Sequence, residues 1–284
     1  MPYQITDCRT LTTTQLCGAM NEAFADYVVP LSMSEQSFKD FQIQRGFSAD
    51  HSFVATREGK VVSFWFSSLP NLEYEDRAYT LSVGTHPGHR RKGLSRKLLE
   101  AVIEKQRQST CSGLQLEVVS TNTKAVTAYE TFGFQCARKL RVCKLSNGFR
   151  SAGDLEGIDF KRIALTELPK NEADFFDTVP TPQNSRNAMT GLVAKTQVVV
   201  AIKGRDLLGW GAVYDDGVVA QIAVQRAFRG NGIGRGILNQ LASLVEAEHL
   251  TFVNVDVTTP SINGFLDRAG AEDILQQFEM RLAI

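Results

Sequence analysis

The stretch "VQRAFRGNGIGRGIL", residues 224–238, places four glycines at alternate positions where an amphipathic helix is expected to begin. Glycine is a poor helix former, so such a start costs conformational entropy that another residue would avoid. The stretch "THPGHRRKGLSRKLL", residues 85–99, repeats the skeleton: an arginine, two residues, a glycine, one residue, a small residue and then a helix. A single copy could be a flexible loop, whereas two copies in matching strand–loop–helix contexts indicate a shared purpose.

The bulk composition favours an ordinary globular protein. A chain of 284 residues with 43% apolar side chains suits two domains with real cores. Its 31 basic and 31 acidic residues balance, which argues against a general nucleic-acid or anionic-membrane surface. We find neither a signal core nor a membrane span, and therefore expect a cytoplasmic protein. The five cysteines and four histidines lack ligand spacing, so neither a disulfide framework nor a metal site is expected.

The sequence divides into two halves with the same order of elements. Each half reads as a strand, a hairpin, a strand, the glycine loop, a helix, a strand, a short helix and a final strand. We predict domains at residues 1–147 and 158–284, joined by the polar linker "SNGFRSAGDLEG" near residues 147–157. Ser32 and Glu35 are expected to form a capping box, and the helix after the second glycine loop to reach about His249.

The glycine loops have the chemistry of a pyrophosphate cradle. Backbone amides in the first turn of a helix lack intrahelical partners and lie at the positive end of the helix dipole, so a loop without side chains admits a phosphate. The arginine would add charge at the entrance. The candidate cofactor-binding residues are Arg90, Arg91, Lys92, Gly93, Leu94 and Ser95 in the first loop, and Arg229, Gly230, Asn231, Gly232, Ile233 and Gly234 in the second.

Two other phosphate motifs fail on spacing. A dinucleotide-binding loop requires G-x-G-x-x-G, but Arg235 and Ile237 occupy the third position in the two possible frames. A P-loop ends in G-K-[ST], which neither copy contains.

The loops and a second motif together resemble the GCN5-related N-acetyltransferase (GNAT) superfamily. "HPGHRRKGLS" is similar to the family's P-x-x-R-x-x-G acetyl-coenzyme A loop, with Ser95 in place of the usual final glycine or alanine, and "RAFRGNGIG" is similar to R-G-x-G-x-G. "NTKAVTAYETFGF" resembles the family's N-x-x-A-x-x-x-Y-x-x-x-G-F signature. The resemblance covers essentially the whole chain and implies an α/β fold of two tandem GNAT domains, each a mixed, mostly antiparallel sheet with flanking helices.

The resemblance also implies a cofactor position. In the family the fourth and fifth strands splay into a V, and the pantetheine arm of acetyl-coenzyme A lies in the gap like an extra strand. Backbone amides of the fourth strand hold the thioester carbonyl, here from Val83 to Thr85 and from Ile222 to Val224. Acetyl passes directly to an amine, which must lose a proton, while the departing thiolate must be protonated or stabilised.

The signature supplies candidate catalytic residues in the first domain. Tyr129 matches the family tyrosine whose hydroxyl protonates the thiolate, although a tyrosine on an amphipathic helix can equally be a core residue. Asn122 is either a cofactor contact or a helix cap. Glu117 is the candidate base because it lies on the fifth strand beside the gap. Glu73 and Glu75, in the loop before the fourth strand, are alternatives, as is a base that acts through water.

The second domain departs from the family pattern. Leu266 stands where Tyr129 stands in the first domain, and leucine cannot donate a proton. Asp256 falls at the place of Glu117 and is a candidate for substrate contact. We therefore expect the N-terminal domain to be catalytic. The C-terminal domain would be either cofactor-bound and regulatory, or catalytic through water.

Three classes of function follow. The first is an acetyl-coenzyme A-dependent N-acetyltransferase acting on a primary amine of a small molecule, amino acid or peptide, with no nucleic-acid, membrane or metal partner, as a monomer or homodimer. The second is a non-catalytic acyl-coenzyme A-binding sensor. The third is an aminoacyl-tRNA-dependent transferase, which the zero net charge argues against.

Overall fold

Two compact units make up the computed structural model, which describes residues 2–26, 32–146, 155–169 and 175–284. The first unit comprises Met1–Ala137 together with Glu279–Ile284, and the second comprises Arg138–Phe278. Most of the linker predicted near residues 147–157 lies outside the described residues.

The first unit has helices on both faces of a sheet. Its elements are β1 (Gln4–Asp7), α1 (Thr13–Ala23), α2 (Glu35–Gln44), β2 (Phe53–Arg57), β3 (Lys60–Asn71), β4 (Arg77–Thr85), α3 (Leu94–Gln106), β5 (Gly113–Val119), α4 (Thr123–Thr131) and the end of β12 (Glu272–Ala283). The strand order is β1-β2-β3-β4-β5-β12. Phe64 and Phe66 of β3 pack with α1 and α2, so the intervening Trp65 points to the opposite face.

The second unit repeats this plan. Its elements are most of β6 (Gln135–Ser146), then β7 (Asp159–Ile163), α5 (Arg186–Gly191), β8 (Thr196–Lys203), β9 (Asp206–Tyr214), β10 (Val218–Val224), α6 (Ile233–Ser243), β11 (His249–Asp256) and α7 (Pro260–Ala269). The strand order is β6-β11-β10-β9-β8-β7. Ile237 and Leu241 of α6 pack with Leu266 of α7 on one face, whereas Met189 of α5 packs against Trp210 on the other.

Each sheet opens into a fork between its two parallel strands. β4 pairs with β5 only from Arg77 to Tyr79, although β4 continues to Thr85. β10 pairs with β11 only at Val218 and Val219, although β10 continues to Val224. The other strand pairings described within the two units are antiparallel. This confirms the predicted α/β class with mixed, mostly antiparallel sheets, and both units show the splay that the resemblance implies.

The boundaries of the compact units depart from the predicted ranges at both terminal strands. Residues 138–146 of β6 belong to the second unit, where they pair with β11 from Leu140 to Ser146. Residues 279–284 belong to the first unit, where the amide of Ile284 donates to the carbonyl of Ser112 at 3.3 Å. Gly113 permits this approach, because a Cβ there would overlap the carbonyl oxygen of Leu282. Two halves of one design offer similar edges, so adjacency in sequence does not decide which edge a terminal strand joins.

Three details differ from the sequence-based expectations. Ser34, not Ser32, caps α2, since its hydroxyl accepts from the amide of Ser37 at 3.1 Å. α6 ends at Ser243 rather than near His249, because His249 begins a strand with alternating burial. The short helix α5, capped by Ser185, was not anticipated.

The described ranges contain neither a membrane-spanning helix nor a cluster of metal-binding side chains. No helix there is long and apolar enough to cross a membrane. No group of three or more His, Cys, Asp or Glu residues there is placed to hold a metal ion.

Core packing of the second unit can be tested with a matched pair of isoleucines. Ile237 is fully buried, whereas Ile274 in β12 is 49% exposed. We expect Ile237→Ala to lower the free energy of unfolding by about 2–5 kcal/mol, because it removes buried methyl groups and leaves a cavity. Ile274→Ala should cost less than about 1 kcal/mol. Equal losses in denaturant titrations followed by Trp210 fluorescence, with Trp65→Phe present in every variant, would contradict this account of the core.

Candidate functional site

The first glycine loop turns sharply between β4 and α3. A 3-10 turn at Pro87–His89 leads to an extended Arg90, and Gly93 caps α3 with a φ of 73°. Arg91 also has a positive φ, 61°. Gly93 makes no side-chain cap to the helix, so the amides of the first turn are left to water or to a ligand.

The second loop has the same backbone path between β10 and α6. A 3-10 turn at Arg226–Phe228 leads to an extended Arg229, and Gly232 caps α6 with a φ of 82°. Gly230, which corresponds to Arg91, has a φ of 84°. The likeness predicted from the sequence therefore extends to the dihedral angles.

Backbone conformation favours glycine in both loops, and at Gly232 crowding adds to it, because a Cβ there would lie 3.3 Å from the side chain of Leu155. L-residues adopt such left-handed angles at a cost that glycine avoids. A Cβ built on Gly93 or Gly230 would meet nothing within 4 Å. The space beside Gly93 and Gly230 is therefore open, as a cradle for an anionic group requires, whereas Leu155 approaches the second loop at Gly232.

Arg90 fastens the first loop to the end of α1. Its Nε donates to the carbonyl of Thr85 at 3.1 Å, and its Nη2 donates to the carbonyl of Ala23 at 3.0 Å. Two further bonds, of 2.7 and 2.6 Å, join the guanidinium to the carboxylate of Asp26. These bonds to Arg90 lower the pKa of Asp26, so the pair remains ionised at neutral pH.

Arg229 makes the same set of contacts in the second unit. Its Nε donates to the carbonyl of Val224 at 2.9 Å and its Nη2 to the carbonyl of Phe175 at 2.9 Å. Its Nη1 donates to the carboxylate of Asp177 at 2.7 Å. The sequence-based expectation that this arginine adds charge for a phosphate needs revision, because in both loops an aspartate pairs with the guanidinium. The arginine shapes the loop.

The other predicted loop residues surround the cradle. Arg91, Lys92 and Asn231 are exposed. The side chains of Leu94 and Ile233 are buried and anchor the first turns of α3 and α6. Ser95 and Gly234 are half-buried inside those turns.

The strand residues predicted to hold the thioester carbonyl lie beyond the fork. In the first unit Val83 and Thr85 pair with β3 on one side, while the paired stretch of β5 has already ended on the other. Ile222 and Val224 hold the equivalent place on β10. Alternate backbone groups of both segments therefore point into the gap.

Tyr129 lies on the α4 side of the first sheet. Its half-buried ring stands edge-on to Trp65, with centroids 6.1 Å apart, and contacts Phe134 at 5.6 Å. Trp65 points away from α1 and α2, so Tyr129 packs on the face opposite those helices. Asn122 caps α4, accepting from the amide of Ala125 at 3.2 Å, so the helix-cap interpretation holds and a cofactor contact stays a prediction.

Glu117 lies on the other face, in a polar pair that the sequence did not reveal. The hydroxyl of Tyr79, on β4, donates to its carboxylate across the fork. Tyr79 packs in the core formed by α1 and α2, which places the pair on that face. Burial, reinforced by the Glu117 charge, raises the pKa of Tyr79 well above its ordinary value, so Tyr79 stays a donor. The feature that could have revealed this pair is the position of Tyr79 on β4, where it lies directly opposite Gln115 of β5.

One of the alternative bases is already paired. Glu75 is exposed and forms an ion pair with Arg77, which lowers the pKa of the Glu75 carboxyl. Glu73 lies in the 3-10 turn before β4. Of the three candidate carboxylates, Glu117 is the one held at the fork itself.

The second unit lacks this arrangement. Leu266 is fully buried and stands as far from its N-cap, Thr259, as Tyr129 stands from Asn122. Asp256 closes a turn, accepting from the amide and hydroxyl of Thr258 at 2.8 and 2.7 Å. That role differs from the substrate contact proposed for Asp256 from the sequence.

A cavity of about 450 Å³ lies in the fork of the second unit. Its walls include β10, β11, the second glycine loop and α7, and the segment before α5 closes one side. This volume lies within the range of small-molecule sites. The second unit thus presents a formed pocket where the resemblance places a cofactor.

Comparison with known proteins identifies relatives of both halves. The acetyltransferase (GNAT) family model matches residues 19–134, and an acetyltransferase (GNAT) domain model matches residues 164–280. The [ribosomal protein bS18]-alanine N-acetyltransferase of Escherichia coli K12 is 30% identical over 125 residues, which cover 44% of this chain and 78% of that protein.

Solved structures share the fold at low identity. A GCN5-related N-acetyltransferase from Sphaerobacter thermophilus has a TM-score of 0.72 at 14% identity, over 99% of this chain and 95% of that one. A tandem GNAT protein from the clavulanic acid biosynthesis pathway has a TM-score of 0.70 at 15% identity, over 99% and 98%. These likenesses support the two-domain fold.

The role of Arg90 in holding the first loop can be tested with a variant that keeps its charge and changes its hydrogen-bond geometry. Arg90→Lys keeps the positive charge but loses the forked set of bonds to Thr85, Ala23 and Asp26. We expect amide hydrogen exchange in residues 86–95 to become about tenfold faster, which corresponds to a loss of about 1.4 kcal/mol in local stability. Arg91→Lys, at an exposed position of the same loop, is the control. Unchanged exchange in Arg90→Lys would show that charge alone suffices.

Proposed function

The chain belongs to the acetyltransferase (GNAT) family and is an N-acetyltransferase, and we propose that its first unit transfers acetyl from acetyl-coenzyme A directly to a primary amine. The observation that carries this proposal is the placement of Glu117 and Tyr129. One is held at the fork on the face of α1 and α2, and the other packs on the face of α4. A proton acceptor and a proton donor thus flank the gap from opposite sides.

The first glycine loop and the fork fit the cofactor. The uncapped amides beginning α3 and the open space at Gly93 suit a pyrophosphate, with exposed Arg91 and Lys92 nearby as cations. Backbone groups from Val83 to Thr85 face the gap and can pair with the amides of a pantetheine arm, as a neighbouring strand would. Bound there, acetyl-coenzyme A would supply the activated acetyl thioester.

Glu117 is suited to remove the proton from the amine. A carboxylate that accepts a hydrogen bond from Tyr79 is fixed in orientation at the fork, and a carboxylate is a suitable proton acceptor for an amine. As the amine nitrogen bonds to the acetyl carbon, its proton passes to Glu117. Tyr79 acts through Glu117 and is a positioning residue.

Tyr129 is suited to complete the exchange. When the carbon–sulfur bond breaks, its phenolic hydroxyl donates a proton to the departing thiolate. The contacts with Trp65 and Phe134 fix the ring, so the hydroxyl direction is set by packing. One proton leaves the amine and one reaches the sulfur, and no bond to the enzyme forms.

Two of the buried cysteines are unsuited to act as nucleophiles. Burial raises the pKa of Cys8 to about 12 and that of Cys143 to about 11. Both therefore remain thiols at neutral pH and are poor nucleophiles.

The acceptor class can be narrowed by the relative. The Escherichia coli protein, by its name, acetylates an alanine of a ribosomal protein. A peptide amino terminus is therefore the first acceptor to test, ahead of free amino acids and other small amines. Thiol release from acetyl-coenzyme A over such a panel identifies the class.

The acid role of Tyr129 is tested by Tyr129→Phe. Because the ring packing is kept and only the proton donor is lost, turnover with the best amine should fall about 100- to 10,000-fold. The dissociation constant for coenzyme A should remain unchanged. Tyr214→Phe, which also removes a single phenol hydroxyl but lies in the second unit, is the matched control. Turnover equal to that of the unmodified chain would rule out Tyr129 as the acid.

The assignment to the first unit is tested by carboxylates placed in each loop. Gly93→Glu puts a negative charge where the pyrophosphate belongs and should abolish turnover, whereas Gly232→Glu should leave it intact. Gly59→Glu and Gly204→Glu are the controls for backbone strain, since both glycines have positive φ and no atom within 4 Å of a built Cβ. Turnover that survives Gly93→Glu and disappears in Gly232→Glu would place catalysis in the second unit.

A further inference from the structure

Arg45 follows directly after α2 and lies beside the pair formed by Glu117 and Tyr79. Its backbone amide closes the helix by donating to the carbonyl of Phe41 at 3.3 Å. Its guanidinium lies over the ring of Phe41, 4.5 Å from the centroid, and its Nη1 donates to the side-chain oxygen of Gln44 at 2.5 Å. Because Phe41 and Tyr79 belong to the same core, the charged end of Arg45 is held against the core that contains Tyr79.

Ser68 of β3 connects the segment after Arg45 with Tyr79. Phe47 pairs with Ser68 in an isolated antiparallel bridge, and a Cβ on Gly46 would lie 3.6 Å from the Cβ of Ser68. On its other side, the hydroxyl of Ser68 accepts from the backbone amide of Tyr79 at 2.8 Å. The residues that follow Arg45 and the backbone of Tyr79 therefore contact the same serine, which fixes the place of Arg45 relative to β4.

The phenol hydroxyl of Tyr79 is hydrogen-bonded to two charged side chains. It donates to the carboxylate of Glu117, and the side chain of Arg45 bonds to the same hydroxyl. A guanidinium can only donate and a carboxylate can only accept, so the hydroxyl oxygen accepts from Arg45 and its proton points to Glu117. The direction of both bonds is thereby determined. We call Arg45, Tyr79 and Glu117 the fork network.

The fork network places its neutral member in the core and its charged members nearer to solvent. Tyr79 is 6% exposed, whereas Arg45 and Glu117 are half-buried. Burial raises the pKa of Tyr79, and the positive charge of Arg45 acts against that rise. A cation one hydroxyl away from a carboxylate favours its ionised form in the same way. Arg45 therefore influences Glu117 without a direct bond between them.

The charged side chains on the surrounding elements have other surroundings. On β12, which neighbours β5, Glu279 and Arg281 form an ion pair of 2.7 Å. Glu75 and Arg77 form another at the start of β4. The remaining charged residues of α1, α2, β3 and the turn before β4 are exposed or half-buried: Glu22, Glu35, Lys39, Asp40, Lys60, Glu73 and Asp76. The charges that act on the Tyr79 hydroxyl are those of Glu117 and Arg45.

We propose that Arg45 is a positioning residue for acetyl transfer, which acts through Tyr79 to direct the phenol proton toward Glu117 and so to fix the carboxylate that receives the proton of the amine. Without Arg45 the hydroxyl of Tyr79 loses the donor that sets its direction. Glu117 also loses the nearby cation and binds a proton more readily, and a protonated carboxyl cannot act as a base. The inference rests on the proposed function in taking Glu117 as the base, whereas the bonds of the fork network do not depend on it.

The fork network is tested without substrate by ¹³C NMR of the Glu117 carboxyl in the full chain, with the signal assigned by its loss in Glu117→Gln. Arg45→Met removes the charge and the donors, so the titration midpoint of Glu117 should rise by about one pH unit. Arg45→Lys keeps the charge and should raise it by less than about half a unit. Lys39→Met, which removes a cation from an exposed position of α2, is the control. An unchanged midpoint in Arg45→Met would overturn the proposal.

The route through Tyr79 is tested by combining two variants. In a chain that already carries Tyr79→Phe, adding Arg45→Met should shift the Glu117 midpoint by less than half as much as it does alone, because the connecting hydroxyl is gone. Equal shifts in the two backgrounds would show that Arg45 does not act through Tyr79. Circular dichroism reports the folded fraction of each variant, and Arg45→Gln replaces Arg45→Met if the latter does not fold, with a rise expected there too.

Turnover provides a second measurement of the same network. With saturating acceptor, the acid limb of the kcat–pH profile should move up by about one pH unit in Arg45→Met and return most of the way in Arg45→Lys. The dissociation constant for coenzyme A should remain unchanged in both variants. A purely structural role of Arg45 would lower the folded fraction and leave the acid limb where it is. An acid limb that does not move in folded Arg45→Met would overturn the positioning role.

Glu117→Gln distinguishes failure of this inference from failure of the proposed function. Turnover that persists in Glu117→Gln contradicts Glu117 as the base, and the positioning role of Arg45 falls with it, whatever the NMR midpoints show of the bonds. Turnover that is lost in Glu117→Gln, with no change of midpoint or acid limb in Arg45→Met, leaves the proposed function standing and overturns the role of Arg45.

Discussion

The structure of each unit depends on a fork that leaves backbone groups unpaired. Two parallel strands pair for two or three residues and then separate, although β4 and β10 continue well beyond that point. Backbone N–H and C=O groups in such a gap need partners, because orphaned buried polar groups are costly. In the first unit a hydroxyl–carboxylate pair spans the fork. In the second unit Asn184 does so with its own amide and carbonyl. The pair in the first unit joins two side chains, so it crosses the fork without satisfying the backbone groups that line it, whereas Asn184 satisfies the carbonyl of Val253.

The sequence predicted the loops because their chemistry is local. Glycine at a left-handed N-cap is a property of the backbone, so Gly93 and Gly232 were recognisable from spacing alone. The role of the arginines was not, because Asp26 and Asp177 are distant in sequence and only the fold brings them to Arg90 and Arg229. Glu117 was singled out, but its partner Tyr79 required the register of β4 against β5. Which residues face each other across a fork is determined by the tertiary structure.

The second unit shows how far a repeated motif can mislead. It has the more regular glycine loop, and the sequence alone leaves its role open between regulation and catalysis through water. The structure adds the segment of residues 177–184, whose hydrogen bonds reach β6, β9, β10, β11, α7 and the second glycine loop. It also places Asp256 in a turn at the wall of the cavity, where a contact with substrate stays a prediction. The loop motif predicts a cofactor, whereas the residues on the opposite face of the sheet have to be located before the path of an acceptor can be considered.

The placement of the terminal strand bears on the order of biosynthesis. Residues 279–284 belong to the first unit, yet the ribosome makes them after every residue of the second. The sheet of the first unit therefore lacks its β12 edge beside Gly113 while some 140 further residues are translated, a wait on the order of ten seconds or more at typical elongation rates. During that interval the exposed edge of β5 is a template for unwanted pairing, for example on a neighbouring nascent chain of the same polysome. Translation rate and chaperone access in this window would then set the yield of active protein.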